Sequence, residues 1–207
     1  MSSDSPTITT IATLDRLIEG FALAVEESRF IFMSGGNSGN ANEPSEKVQR
    51  LDAKTGLVEE MPTLIQARYN HGSIVTDGIL VVLGGCINAS LDKSRLIEIL
   101  NLATKQAWHR LLEHEIVGRS SASVTSISPH RLAIFGGNHN DGYLLNLKME
   151  EVKPILGKVS DFKFNCKSQT QWLGSKRHIT LGNDANEEYV QKLSFEPLLS
   201  LIGIEHN

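Results

Sequence analysis

Three times along the chain, a short apolar segment runs directly into a pair of glycines. These segments are Arg29–Gly36, Ile79–Gly85 and Arg131–Gly137, and a weaker fourth copy covers His178–Asn183. The glycines that end the apolar segments recur about every 50 residues, which indicates a repeat architecture built around a strand. The period does not identify a function, because repeat folds carry both enzymes and binding modules.

Each apolar segment, here called strand b, is flanked by further strand signals in a constant order. A strand a precedes it, a polar loop follows it, and strands c and d come next, while no segment shows a convincing helical pattern. The a segments are residues 21–25, 73–75, 123–125 and 170–172; the c segments are 48–51, 96–100, 143–145 and 189–193; the d segments are 57–61, 106–112 and 152–156. Four short antiparallel strands per repeat predict an all-β propeller of four blade-like units.

The sequence leaves open whether these units close into a ring. We expect an N-terminal segment (residues 1–15), four units (about 16–64, 65–112, 113–156 and 165–193) and a C-terminal tail (194–207). Residues 7–14 resemble a lone strand d that would close a small ring by pairing with the last strand c. The same pattern fits an open arc of a larger propeller, completed by another chain or self-associating through an exposed blade face.

Composition and charge exclude several classes of function. The chain has 207 residues, 40% hydrophobic residues and a net charge of −4, so a nucleic-acid partner is not expected. No apolar run is long enough to span a membrane, and the N-terminus lacks the pattern of a signal peptide. Two cysteines without a metal-binding spacing fit reduced thiols, and we expect a cytoplasmic protein.

With this strand order, the residues resemble the kelch repeat family. The family pattern is a strand ending in Gly-Gly, then an apolar residue followed by Asp or Asn, and then Trp. The second unit contains Leu100, Asn101 and Trp108, whereas the first has Val58 and the third Val152 where Trp is usual. The resemblance covers about residues 16–193 and marks a divergent member, because most family Tyr and Trp positions are aliphatic.

The family's Arg-x-x-His motif after strand d is intact at Arg68–His71 and half present at Arg119–Ala122. The resemblance implies that the b–c and d–a loops lie together on one face around a central channel. The candidate partner-binding residues of this face are Arg16, Asn37, Asn40, Arg68, Tyr69, His71, Asn88, Arg119, His139, Asn140 and Asp141, with Lys167 as a fourth basic position.

Two interpretations of these loop residues remain. The arginines either form a ring that docks an acidic motif, since a guanidinium suits carboxylates, or each bonds to an acid or carbonyl of its own domain. The asparagines either form a polar rim or only shape their own loops. Because glycine lets backbones approach closely, we assign structural roles to Gly35, Gly36, Gly84, Gly85, Gly136, Gly137 and Gly182.

The resemblance favours a non-catalytic module that presents its loop face to a protein partner, as in scaffold proteins or substrate receptors of ubiquitin ligases. We expect no cofactor, and no metal site, because His139 and Asp141 share a loop without a third ligand. One alternative is a small-molecule or sugar-processing enzyme, which predicts convergent buried titratable groups in the channel. The other is a partial propeller completed by another chain.

Overall fold

The fold is built from β-strands that follow the predicted order. The computed structural model describes residues 10–13, 19–38, 43–137, 139, 141–154, 169–172, 177–184 and 187–194, with only the backbone for residue 116 and the last three ranges. The strands of sheet 1 are β1 (Ala22–Glu26), β2 (Phe30–Ser34), β5 (Val48–Asp52) and β6 (Val58–Met61). They pair antiparallel in that order.

Sheets 2 and 3 repeat this arrangement, and sheet 4 contributes three described strands. Sheet 2 has β7 (Gly72–Thr76), β8 (Ile79–Leu83), β9 (Leu96–Asn101) and β10 (His109–Glu113); sheet 3 has β11 (Ala122–Ser128), β12 (Arg131–Gly136), β13 (Gly142–Asn146) and β14 (Glu151–Pro154); sheet 4 has β15 (Gln169–Trp172), β16 (Arg177–Asp184) and β17 (Glu187–Ser194). Strands a, b, c and d therefore follow one another in space as they do in the sequence.

Two small elements lie in loops and were not predicted. A two-stranded hairpin, β3 (Asn37–Ser38) with β4 (Glu43–Pro44), occupies the b–c loop of sheet 1. A short 3-10 helix, Glu115–Val117, lies in the d–a loop between sheets 2 and 3. Within the described residues, no helix has the length and hydrophobicity needed to cross a bilayer.

The tight a–b turns have a simple physical cause. Asp77 and Gly78 connect β7 to β8, and both have positive φ angles, 49° and 70°. A two-residue turn with this backbone matches the right-handed twist of the strands it joins, and Asp-Gly is a preferred sequence for it. The Asp77-Gly78 sequence thus suits the turn that joins β7 to β8.

The core consists of layers between the sheets. One cluster packs Ala24, Phe32, Val48 and Met61 of sheet 1 against sheet 2; its sheet 2 side includes Leu80, Val82, Leu100 and Trp108. The Trp108 indole also donates a hydrogen bond to the Pro62 carbonyl, at 2.8 Å. The Trp position of unit 2 therefore fastens sheet 2 to the loop that follows sheet 1.

The second core cluster joins the other face of sheet 2 to sheet 3. It includes Val81, Leu83 and Ile97 from sheet 2 and Leu132 and Ile134 from sheet 3, each fully buried. Strands β8 and β9 carry buried residues on both faces, which explains their nearly continuous apolar sequence.

The innermost strands stand side by side. Strand β1 contacts β7, β7 contacts β11, and β11 contacts β15. This is a propeller-like stack of sheets around an axis. Among the described residues, β15 has no comparable contact with β1, so the structure does not show a closed ring. Residues 10–13 form no strand, and the rest of the expected closing segment lies outside the described residues.

Candidate functional site

The first two glycine pairs each contact the d–a loop that leads into the following unit. Gly36 donates its backbone N–H to the Arg68 carbonyl at 2.9 Å, and Gly85 donates to the Arg119 carbonyl at the same distance. A Cβ on Gly35 would lie 2.3 Å from the Arg68 carbonyl, and one on Gly84 would lie 2.4 Å from the Arg119 carbonyl. A side chain cannot occupy either place, so this loop contact requires glycine.

The backbone conformation also favours glycine at every described position of the pairs. All six have positive φ angles, from 60° to 102°, a region that side chains disfavour: Gly35, Gly36, Gly84, Gly85, Gly136 and Gly137. Gly182 lies within strand β16, where only the backbone is described.

Arg68 is buried at the junction between sheets 1 and 2, with no exposed surface. Its guanidinium donates to the Gly84 and Leu96 carbonyls, at 2.9 and 3.0 Å, and forms an ion pair with Glu98, which is also fully buried. The Glu98 carboxylate in turn accepts the backbone N–H groups of Ile65 and Gln66. Burial lowers the pKa of Arg68, while the charge of Glu98 opposes that shift.

Arg119 occupies the matching place between sheets 2 and 3. Its Nη1 donates to the Gly136 carbonyl and to the Asp141 carboxylate, both at 2.8 Å, and its guanidinium lies over the Tyr143 ring. Burial works to raise the pKa of Asp141, but hydrogen bonds from Arg119 and Tyr143 outweigh it, so the net shift is downward. The bond to Asp141 also raises the pKa of Tyr143.

The predicted ring of accessible arginines is therefore wrong for Arg68 and Arg119. Both side chains are almost completely buried and bond to acids and carbonyls of their own chain, as the other interpretation of the sequence expected. Arg16 and Lys167 lie outside the described residues, as do Asn40 and Asn140.

Most of the remaining candidate residues also have structural contacts. Tyr69, His71 and Asn37 are buried, while Asn88 closes its own loop by bonding to both the side chain and the backbone of Asp92. His139 is exposed. The loop-shaping interpretation thus holds for Asn88.

The His71 imidazole forms a hydrogen bond with Ser34, with 2.8 Å between Nε2 and Oγ. This serine–histidine pair resembles the start of a nucleophilic site, but both residues are buried and Nδ1 has no hydrogen-bond partner among the described residues. A catalytic histidine needs a group that orients it and a substrate that reaches it. Burial, with a smaller contribution from the charge of Arg68, lowers the pKa of His71 to about 3. The pair therefore links sheets 1 and 2 as neutral groups.

A basic groove lies on the outer part of sheet 2, at the end of the sheet that carries the loops. It has a volume of about 380 Å³ and is lined by Gln66, Ile87, Lys93, Ser94, Arg95, Leu96, Arg110 and Glu113. Arg95 and Arg110 are exposed. Arg95 forms a 3.3 Å ion pair with Glu115, whose side chain is 84% exposed. Within the described part of the chain, neither Lys93 nor Arg110 forms an ion pair with an acid, although Lys93 contacts the Cys86 sulfur at 3.1 Å.

Sequence reasoning missed this groove. Its three basic residues come from the b–c loop and from strand d of one unit, about 15 residues apart, and only the β9–β10 pairing brings them together. The signal available was the charged stretch at residues 92–95, which lies between the apolar strands b and c of this unit.

A second, larger space of about 620 Å³ opens between the innermost strands, at the a–b turn end of the sheets. Aliphatic side chains and hydroxyl groups line it, and Thr76 and Ser126 share a hydrogen bond across β7 and β11. Asp77 is the one titratable residue of the described lining. The convergent titratable groups that an enzyme would require are absent from this lining, and no group of three or more metal-binding side chains occurs among the described residues.

The fold thus defined is all-β and propeller-like. The sequence matches no known family profile and none of the curated proteins. Among solved structures the chain is similar to YjhT, with 14% sequence identity and a TM-score of 0.64 over 79% of this chain. The match spans 58% of the length of YjhT. At this identity the likeness concerns the fold alone.

Proposed function

We propose that this protein is a divergent kelch-type, non-catalytic interaction module, and that the basic groove of sheet 2 binds an acidic segment of a partner protein. The observation that supports this most directly is the set of cations in the groove, Lys93, Arg95 and Arg110, on a chain of net charge −4. A local basic groove on an acidic protein favours one orientation of an acidic partner.

The chemistry of the groove suits carboxylates. Arg110 offers a forked donor that forms no ion pair among the described residues, and Arg95 forms an exposed ion pair with Glu115. Exposed ion pairs contribute little stability, so a partner carboxylate can replace Glu115 at small cost. Glu113 also lines this groove. Its carboxylate would repel an acidic side chain placed next to it, and so would restrict how an acidic partner segment can lie in the groove.

One of the buried arginines, Arg68, supports the groove from behind. Arg68 holds the Leu96 carbonyl, and the Ser94 hydroxyl donates to the Gln66 side chain at 2.6 Å. Both contacts tie residues 94–96, which include the groove cation Arg95, to the loop after sheet 1. A site on a rigid support loses less entropy when it binds a partner.

The kelch assignment rests on the repeated strand order and on the glycine pairs. Two described glycine pairs contact a d–a loop that carries an arginine. In both, the second glycine donates its backbone N–H to the carbonyl of that arginine. The arginine side chain of each loop also donates to a carbonyl of the next glycine pair, at Gly84 or Gly136, which gives a physical reason for coupling the Gly-Gly and Arg positions of the repeat.

Fluorescence anisotropy with a short Glu- and Asp-rich peptide, compared with its Gln and Asn counterpart, tests the proposal. We expect binding of the acidic peptide alone, weakening as the salt concentration rises. The charge-reversal pair Lys93→Glu and Arg110→Glu should abolish binding, whereas Arg131→Glu, at an exposed arginine on strand b of sheet 3, should not. Equal binding of both peptides, or unchanged binding by the groove variant, would contradict the proposal.

A further inference from the structure

The basic groove of sheet 2 carries more positive charge than its own acid neutralises. Its lining holds three basic side chains, Lys93, Arg95 and Arg110, and one acidic side chain, Glu113. Three positive charges and one negative charge leave a formal net charge of +2. The ion pair that Glu115 forms with Arg95 is exposed to water, which weakens it. The groove therefore keeps an excess of positive charge for a ligand.

The groove is small for so much charge. Its volume of about 380 Å³ lies near the lower end of the range for small-ligand sites, about 300–1,000 Å³. A space of this size takes a few side chains rather than a long acidic segment. A carboxylate supplies one negative charge, whereas a phosphoryl group on a serine or threonine supplies about 1.5 to 2 near pH 7. One phosphoryl group thus matches the charge of the lining, whereas two carboxylates would be needed to do the same.

The hydrogen-bond donors of the groove also suit a phosphoryl group. Arg110 offers a planar fork, which binds phosphate oxygens in pairs, and Lys93 offers a compact positive charge. The Gln66 amide, in the same lining, accepts the Ser94 hydroxyl with its Oε1. Among the described residues its Nε2 has no hydrogen-bond partner, so this nitrogen is available as a neutral donor.

The acids around the groove favour one concentrated anion over an extended acidic stretch. Glu113 would repel any further acid placed beside it. Glu98 lies opposite Arg110 in the β9–β10 register, but its buried ion pair with Arg68 neutralises it. A ligand that gathers its charge at one point avoids the repulsion from Glu113, since it needs no second acid.

We propose that the groove binds a phosphorylated serine or threonine of the partner segment. This inference rests on the proposed function and names the chemical group that the groove recognises. The cations donate to the phosphoryl oxygens, and the residue of the segment next to Glu113 is neutral.

Fluorescence anisotropy with three labelled peptides tests this inference. The peptides share one neutral sequence and differ at a single position, which is phosphoserine, glutamate or serine. We expect the phosphoserine peptide to bind at least about tenfold more tightly than the glutamate peptide, because its group carries up to about twice the charge. The serine peptide should not bind.

Arg110→Gln should weaken binding of the phosphoserine peptide at least about tenfold, because it removes the forked donor. Arg131→Gln is the matched control, since Arg131 is an exposed arginine on strand b of sheet 3, and it should leave binding unchanged. Thermal unfolding of both variants should resemble that of the wild-type protein, because both arginines are exposed.

The possible failures separate the two proposals. If the Glu- and Asp-rich peptide binds but the phosphoserine peptide binds no more tightly than its glutamate counterpart, this inference is overturned and the proposed function stands. If neither peptide binds, both are overturned. Unchanged phosphopeptide binding by Arg110→Gln would also overturn the inference. So would equal displacement by inorganic phosphate and by unlabelled phosphopeptide at the same concentration, since the groove would then be a site for a free anion.

Discussion

Two junctions between sheets use the same repeat position with different degrees of burial. Arg68 and Glu98, between sheets 1 and 2, both have side chains with no exposed surface. Arg119, between sheets 2 and 3, is 3% exposed, but the side chain of its partner Asp141 is 43% exposed. The two arginines each hold a backbone carbonyl of a glycine pair, Gly84 and Gly136 respectively.

The difference arises from where the acid lies. Glu98 stands in the middle of strand β9, between sheets, whereas Asp141 comes from the b–c loop, which water can reach. A buried charge without a partner is expensive, but a half-exposed one is screened by water. The first junction therefore depends on its ion pair more than the second does. The arginine thus has the same role at both junctions, but its ion pair contributes more to stability at the first junction than at the second.

Glu98→Leu should cause the largest loss of stability, because it leaves the Arg68 charge buried without its acid. We expect the free energy of unfolding to fall by about 3–5 kcal/mol in urea denaturation. The matching change at the second junction, Asp141→Leu, should cost about 1 kcal/mol or less, since Arg119 keeps the Gly136 carbonyl and the Tyr143 ring.

The double variant Arg68→Leu and Glu98→Leu serves as the control for this prediction. It removes both charges, so it should be more stable than Glu98→Leu alone, even though the Gly84 and Leu96 carbonyls lose a donor. Equal losses for Glu98→Leu and Asp141→Leu would show that burial does not distinguish the junctions.

A glycine substitution should have the next largest effect and tests what the two junctions share. Gly84→Ala places a Cβ 2.4 Å from the Arg119 carbonyl, at a φ of 66°. Strain and displacement together should cost about 2–4 kcal/mol in urea denaturation.

Gly78→Ala is the matched control, because Gly78 has a similar φ of 70° but open space around the Cβ position. Its cost should be about 1 kcal/mol, from the backbone conformation alone. If both variants lose the same stability, the close approach of the d–a loop is not what requires glycine in the pair.

The strand order could be predicted from the sequence because the core is layered. Residues of β8 and β9 are buried on both faces, so these strands appear as apolar runs, and a glycine pair marks the end of β8. The Arg68 partner could not be identified in this way. Glu98 stands alone in an apolar strand, and only the stacking of sheets shows that it meets an arginine 30 residues earlier.

The basic groove was missed for a related reason. Arg110 and Lys93 belong to different segments, and the register that brings them to one surface depends on a bulge between Arg110 and Leu112. Predictions from local pattern give the strand but not such a shift. The arginines that we propose for binding, Arg95 and Arg110, are therefore not the arginines at the repeated motif position, Arg68 and Arg119.

The pH dependence of stability provides a finer comparison of the junctions, because the first has His71 where the second has Ala122. Burial lowers the pKa of His71 to about 3 in the folded protein, against about 6.5 when unfolded. Above pH 6.5 the imidazole is neutral in both states, and its stabilising contribution is complete. As the pH falls below 6.5, only the unfolded chain takes up the proton, so stability is lost, with a slope approaching about 1.4 kcal/mol per pH unit. Urea denaturation between pH 7.5 and 4.5 should show this slope, in a window above the titration of ordinary carboxylates.

His71→Gln should flatten the profile in this window while lowering stability at pH 7.5 by a smaller amount, through the bond to Ser34. His139→Gln, at an exposed histidine, should keep the wild-type profile. A slope that survives in His71→Gln would mean that another group carries it. The first junction would then owe its acid sensitivity to something other than this histidine, and the two junctions would differ in their ion pairs alone.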